Sequence, residues 1–162
     1  MNKPNITIEK ITNMQILYIR FRGTYIEFRK NSRKLFGTLF TYAEEKSMII
    51  PNVTKVLTLY HDNPYITEAK NLRTSVAMTV NTDIVPQASE PIGVIAISGR
   101  FAIGHFEISP DEYHLAWQYM YNEWLFKGTQ SPRDAVPFEL YVTEPPRSFK
   151  QKSKTDIYIP IE

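Results

Sequence analysis

The same order of predicted elements occurs twice along the chain, and this repetition limits the possible folds more than any other feature. A strand-like stretch, a helical stretch and two further strand-like stretches come first, and the same order then returns. The repeat is one of pattern rather than of residue identity. Residues 1–84 and 90–162 are therefore predicted to be pseudo-repeats within a single domain, and the proline-containing loop 83–91 is predicted to join them.

The first half is predicted to contain three strands and one helix. The strands lie at 6–21, with a turn near Thr12 and Asn13, and at 55–60 and 72–80. Gly37 lies inside the helix and is interpreted as a position of close packing. The helix is predicted at 25–46 because apolar side chains recur there at spacings of three and four, at Phe28, Leu35, Phe36, Leu39, Phe40 and Ala43.

The second half repeats this order. Its helix, at 109–127, is predicted to begin at Ser109, with Pro110 in the first turn and Glu112 completing a capping box. A hairpin at Ser98 and Gly99 is predicted to separate the first two of its strands, and the four strands are placed at 92–97, 101–108, 138–143 and 155–161. Two such units side by side predict an α+β fold with a mostly antiparallel sheet. The two helices would be related by a pseudo-twofold axis, with a ligand cleft near that axis.

Composition narrows the class of protein. The chain has no cysteine, which excludes disulfides and thiolate chemistry and fits a cytoplasmic location. A net charge of +2, from 19 basic and 17 acidic residues, predicts no direct DNA binding, and a basic stretch at 29–34 is interpreted as a solvated helix face. Apolar runs are too short to span a membrane, and the first residues do not have the pattern of a signal peptide.

Four segments resemble the effector-binding domain of AraC-type and MerR-type regulators, which occurs alone in gyrase-inhibitor-like proteins. They are LTLYHDNP at 57–64, followed by Thr67 and by LRT at 72–74; GHFEISPDEY at 104–113; WQYMYNEWL at 117–125; and PFELY at 137–141, followed by DIYIP at 156–160. The resemblance spans nearly the whole chain and implies the duplicated fold described above. The family usually continues with Trp-Leu-Pro after the second helix, whereas this chain has WLFKG at 124–128, so the loop 126–135 at the pocket rim is expected to differ in shape.

Glu139 is the principal candidate for a ligand-binding group. Strand periodicity places Glu139 and Tyr141 on one face and Phe138, Leu140 and Val142 on the other. From the pattern alone, the carboxylate either faces solvent or is half-buried and paired. The resemblance implies the base of the ligand cleft, where a carboxylate surrounded by aromatic rings would attract a cationic or polarised aromatic ligand.

Aromatic side chains are the other candidates, and each has a packing alternative. Trp117, Tyr121 and Trp124 share a helix face that either packs on the core or walls the cleft. Tyr60 ends a strand, where a core or capping position is as compatible as a cleft position. Further candidates for ligand contacts are Tyr141, Phe101 and Tyr18.

These features predict a stand-alone module that binds a small amphipathic or cationic ligand, without a cofactor. His61, His105 and His114 have no metal-site spacing, and the His61-Asp62 pair is interpreted as part of a turn. Two alternatives follow from the resemblance. One is a gyrase-inhibitor-like role, in which gyrase or a regulator is a protein partner. The other is hydrolysis of reactive small molecules, with Glu139 as base and Tyr60 or Tyr141 as acid.

Overall fold

The computed structural model describes residues 1–81, 90–143 and 148–162. Most of the predicted junction 83–91 therefore lies outside the described residues. The chain divides into two compact units. The first unit is Thr12–Ser98, and the second unit combines Met1–Ile11 with Gly99–Glu162. The fold is α+β, as the sequence predicts, and within the described residues it has six strands and two α-helical segments.

In the first unit, three antiparallel strands pack against one long helix. The elements are β1 (Asn5–Arg22, from Thr12 onward), α1 (Tyr25–Glu45), β2 (Val56–Tyr60) and β3 (Arg73–Thr79), with β3 paired to both β1 and β2. Thr24 and Glu27 form a capping box at the start of α1. Helix α1 packs on the sheet through an apolar core of Leu17, Ile19, Phe28, Leu39, Ala43, Val76 and Met78, with neighbours.

The second unit has the same pairing pattern. Strand β4 (Gly93–Ile108, from Gly99 onward) and strand β5 (Phe138–Tyr141) each pair antiparallel with β6 (Ser153–Pro160). The helical segment between β4 and β5 starts with a 3₁₀ turn, Pro110–Glu112. It continues as α2 (Tyr113–Gln118) and ends in a π-helical stretch, Tyr119–Leu125. Ser109 and Glu112 form the predicted capping box, since the Ser109 N–H donates to Glu112 Oε1 over 3.2 Å.

Corresponding rows of paired residues show the duplication at residue level. In the first unit, Phe21 on β1, Thr74 on β3 and Tyr60 on β2 lie side by side. The row at the same place in the second unit is Phe106, Thr155 and Tyr141, which are the same three residue types. The sequence alone showed only a repeat of pattern, because the three residues of each row come from three different strands and are far apart along the chain. The predicted pseudo-twofold axis remains a prediction.

Two predicted turns are wrong, because the strands continue through them. Strand β1 runs unbroken past Thr12 and Asn13, where Asn13 adopts a φ of +50°. Strand β4 likewise runs through the predicted hairpin, with Gly99 at a φ of +108°. Asparagine and glycine both tolerate a positive φ, and a positive φ is compatible with a local irregularity in a long strand as well as with a turn.

Of two glycines in or next to the helices, Gly104 marks a close approach of helix and sheet and Gly37 does not. A Cβ at Gly104 would lie 2.5 Å from the Met120 sulfur, so glycine allows the second helical segment to pack directly on β4. The interpretation of Gly37 as a close-packing site is wrong. It lies on the exposed face of α1, and a Cβ there would meet nothing within 4 Å.

Candidate functional site

Glu139 lies on the face of β5 that is covered by the second helical segment. It pairs with Ile157 on β6, which in turn pairs with Gly104 on β4, and Ile157 belongs to the apolar core beneath the helix. The residue is only 1% exposed. The solvated alternative is therefore excluded for Glu139, and its carboxylate is held in a largely dry, mainly apolar interface between helix and sheet.

Trp117 reaches this carboxylate from the helix. Its indole Nε1 donates a hydrogen bond to Glu139 Oε2 over 3.4 Å. The ring of Tyr121, one turn later, stacks on the Trp117 ring, with centroids 6.3 Å apart and planes inclined by 16°. Burial raises the pKa of the Tyr121 hydroxyl to about 12, so it stays protonated near neutral pH. Of the predicted residues, Glu139, Trp117 and Tyr121 are thus connected by direct contacts.

Tyr113 is a neighbour of this group that the sequence analysis did not select. Its ring stacks on Tyr141, with centroids 6.4 Å apart, and Tyr141 shares a strand face with Glu139. Burial, together with the negative charge of Glu139, raises the pKa of Tyr113 to about 12. The signal was present in the sequence, because Tyr113 lies four residues before Trp117 and Tyr121 lies four residues after it, on one helical face.

Two other candidates of the second unit have different surroundings. Trp124 is half-buried and packs against the same apolar core as Trp117. Phe101 lies on the opposite face of the sheet from Glu139. It is fully buried there in edge contact with Phe138 and Tyr158, 5.5 Å and 6.0 Å between centroids. The structure does not bring Phe101 to Glu139.

The remaining candidates, Tyr60 and Tyr18, belong to the first unit. Tyr60 ends β2 on the helix-facing side, where Tyr25 meets its ring edge-on at 5.8 Å. Tyr18 lies on the other side of that sheet, beside His61 at 6.2 Å between ring centroids. Each is half-buried.

His61 is the most strongly perturbed side chain beside these residues. Its Nε2 lies 2.6 Å from the buried Ser75 hydroxyl. Burial and the positive charges of Arg20 and Arg73 together lower the pKa of His61 to about 4. Asp62 instead accepts two hydrogen bonds from the Arg73 guanidinium, at 2.8 Å and 2.9 Å. The His61-Asp62 pair is therefore part of the polar structure of this turn.

The two units differ at the position of Glu139. The row of paired residues that contains Glu139 is Gly104, Ile157 and Glu139, and the matching row in the first unit is Ile19, Val76 and Thr58. Thr58 is 3% exposed and uncharged. The same strand-and-helix arrangement thus forms in the first unit with a neutral residue at this position.

Two features of the described residues bear on other classes of function. No group of three or more His, Asp or Glu side chains there is arranged to hold a metal ion. No helix within residues 1–81, 90–143 and 148–162 is long and apolar enough to cross a membrane.

Comparison with known families shows which family the chain belongs to. A model of the GyrI-like small-molecule-binding domain matches residues 4–162. The chain belongs to the GyrI-like family. One relative is a DNA gyrase inhibitor of Yersinia enterocolitica, which is 30% identical to this chain over 133 residues. The match covers 80% of this chain and 81% of the relative. A DNA gyrase inhibitor of Pectobacterium carotovorum is 25% identical, over 86% of this chain and 88% of its own.

Solved structures similar to this GyrI-like chain share its fold at low identity. The C-terminal domain of EcmrR has a TM-score of 0.72 and 15% identity, and the match covers 98% of both chains. SAV2435 bound to tetraphenylphosphonium has a TM-score of 0.61 and 12% identity, over 98% of this chain and 94% of that one. A hydrolase of Listeria innocua has a TM-score of 0.66 and 12% identity, over 99% and 93% of the two chains.

Proposed function

We propose that this GyrI-like chain binds a small amphipathic cation, and that Glu139 supplies the negative charge at the base of the binding cleft. The observation that carries the proposal is the contrast between Glu139 and Thr58. A buried carboxylate costs desolvation free energy, and the first unit forms the corresponding row without one. A buried charge that is present in only one of the two matching rows, beside aromatic rings, supports a ligand that uses it.

The aromatic side chains around Glu139 support a flat or aromatic cation as the ligand. The ring faces of Trp117, Tyr121, Tyr113 and Tyr141 belong to two stacked pairs on the same side of the sheet. Aromatic faces attract cations through the ring quadrupole, and a partly desolvated carboxylate strengthens that attraction. The raised pKa values of Tyr113 and Tyr121 keep both hydroxyls neutral, so they do not compete with Glu139 as anions.

Tetraphenylphosphonium is the appropriate first probe, since SAV2435, which shares the fold, has been solved with it bound. A ligand that binds only the folded state raises the melting temperature as its concentration increases. We expect this rise with tetraphenylphosphonium and a much smaller one with neutral triphenylphosphine oxide. No rise with the cation at millimolar concentration, or an equal rise with both compounds, would refute a cation site.

A gyrase-directed role is a second candidate, because two relatives that cover most of the chain are named DNA gyrase inhibitors. It predicts that the protein is retained by immobilised gyrase and lowers supercoiling activity in a dose-dependent manner. The hydrolase alternative has weaker support, since the Listeria hydrolase shares the fold at only 12% identity. In that alternative Glu139 would act as the base, and Tyr141, its neighbour on the same strand face, would act as the acid.

A further inference from the structure

On the face of the second unit's sheet that is opposite to Glu139, three side chains form a hydrogen-bonded triad. His105 on β4 and Asp156 on β6 are direct partners in the sheet. His105 Nδ1 lies 3.0 Å from Asp156 Oδ1, and His105 Nε2 lies 2.8 Å from the hydroxyl oxygen of Thr7. Thr7 belongs to the part of β1 that is included in this unit.

The partners of His105 fix the direction of its protons. An ionised carboxylate only accepts hydrogen bonds, so His105 donates to Asp156 through Nδ1–H. In the neutral imidazole, Nε2 then carries a lone pair that accepts the hydroxyl proton of Thr7. A hydroxyl that donates to an imidazole, which is itself oriented by a carboxylate, is the arrangement that activates hydroxyl nucleophiles in acyl-transfer enzymes.

Two of the three side chains are accessible and line a depression, and Thr7 adjoins it through its contact with His105. The His105 side chain is 37% exposed and that of Asp156 is 15% exposed. Both line a depression of about 320 Å³, the size of a small organic molecule. Its other lining residues are Phe106, Glu107, Val142 and Lys154, so the lining offers apolar surface and two further charged groups, the Glu107 carboxylate and the Lys154 ammonium, which are partners in the sheet.

The row of the first unit that matches His105 and Asp156 has no such hydrogen-bonded triad. Arg20 and Ser75 occupy the places of His105 and Asp156 there. The sheet therefore forms without a His-Asp pair at this position, and its presence in the second unit alone favours a chemical role over a purely structural one.

We propose that Thr7, His105 and Asp156 form a nucleophilic site that takes the acyl group from small carboxylic esters. This site goes beyond the proposed function and is independent of Glu139. The Thr7 oxygen attacks the ester carbonyl carbon while His105 Nε2 accepts the hydroxyl proton. The ester C–O bond then breaks, and the leaving alcohol takes that proton from His105.

Hydrolysis of the acyl-threonine completes the cycle. Water attacks the carbonyl carbon and gives one proton to His105, the carboxylic acid leaves, and the proton returns to the Thr7 oxygen. One ester and one water thus become one acid and one alcohol. Lys154 is the lysine among the lining residues, and we expect it to offset the negative charge that develops on the carbonyl oxygen. Asp156 is a positioning residue that holds the required tautomer.

The test uses p-nitrophenyl acetate with the full chain, followed by acid quenching and fragment-level mass spectrometry. We expect an acetyl group on residue 7, removable by hydroxylamine, in the wild type and in Thr7→Ser. Thr7→Val should lack it, whereas Thr38→Val, on the exposed face of α1, should behave as wild type. Asp156→Asn should acetylate residue 7 at least about tenfold more slowly at an unchanged melting temperature.

Three results would overturn the proposal. One is acetylation confined to amines, which resists hydroxylamine. Another is unchanged p-nitrophenolate release by Thr7→Val. The third is an Asp156→Asn variant that acetylates residue 7 at the wild-type rate.

Discussion

The indole Nε1 of Trp117 donates a hydrogen bond to Oε2 of Glu139, which joins the second helical segment to the central buried carboxylate of the sheet beneath it. The contact is 3.4 Å long, so it is at the weak end of its class, but its acceptor is ionisable and almost fully buried. It links the carboxylate to the stacked Trp117–Tyr121 pair.

Trp117→Phe is therefore expected to destabilise the protein by more than loss of packing alone. Trp124→Phe is the matched control, because both indoles pack against the same core from the same helical segment. The difference in the free energy of unfolding between the two variants should be about 1 kcal/mol, the typical net value of one hydrogen bond. Urea denaturation measures both values, and equal losses would mean that the contact adds nothing to stability.

A pair of glycine substitutions tests the packing that positions this helix. Gly104→Ala places a methyl group against the buried Met120 and Phe106 side chains and should cost about 1–3 kcal/mol. Gly37→Ala adds a methyl group in open space inside α1 and should raise stability by about 0.5–1 kcal/mol. Thermal and urea unfolding measure both. A stabilised Gly104→Ala variant would contradict the close approach of helix and sheet.

The pKa of His61 predicts acid sensitivity. Because burial, Arg20 and Arg73 lower it to about 4 from an ordinary value of 6.5, the folded state binds fewer protons than the unfolded state in this interval. The contribution of His61 to stability is complete above about pH 6.5 and is lost as the pH falls through about 4. The free energy of unfolding should therefore decline over this window.

His61→Gln should remove most of that decline, because glutamine can still reach the Ser75 hydroxyl but does not titrate. Urea unfolding at a series of pH values compares the two proteins, and NMR follows the imidazole directly. A His61 that titrates near 6.5, or an identical pH dependence in the variant, would contradict the buried environment of this side chain.

Sequence patterns were sufficient for the elements but not for their irregularities. Apolar spacing located α1, and the Ser109–Glu112 capping box located the start of the second helical segment, because both depend on local interactions. Asn13 and Gly99 were misinterpreted as turns, since a positive φ is compatible with either a turn or a distorted strand. The apolar spacing in the π-helical stretch Tyr119–Leu125 resembles that of an α-helix, so the sequence pattern did not distinguish the two.

The candidate site was partly predictable for a similar reason. Strand periodicity assigned Glu139 and Tyr141 to one face, and helical periodicity aligned Trp117 with Tyr121. Which face is buried depends on contacts between distant segments, so the burial of Glu139 and the position of Phe101 on the other face required the structure. The contacts among Thr7, His105 and Asp156 join residues up to 98 positions apart, with no local pattern to reveal them.

Glu139→Gln with tetraphenylphosphonium tests the central claim most directly. Glutamine keeps the shape and an oxygen acceptor for Trp117, but it removes the charge. Isothermal titration calorimetry should show affinity for the cation reduced by about 10- to 100-fold, which corresponds to roughly 1.5–3 kcal/mol for a contact with a charged group. Affinity for triphenylphosphine oxide should hardly change. Glu123→Gln, which removes the same charge from an exposed pair with Lys127, should bind like the wild type. Equal affinity of wild type and Glu139→Gln for the cation would contradict the account.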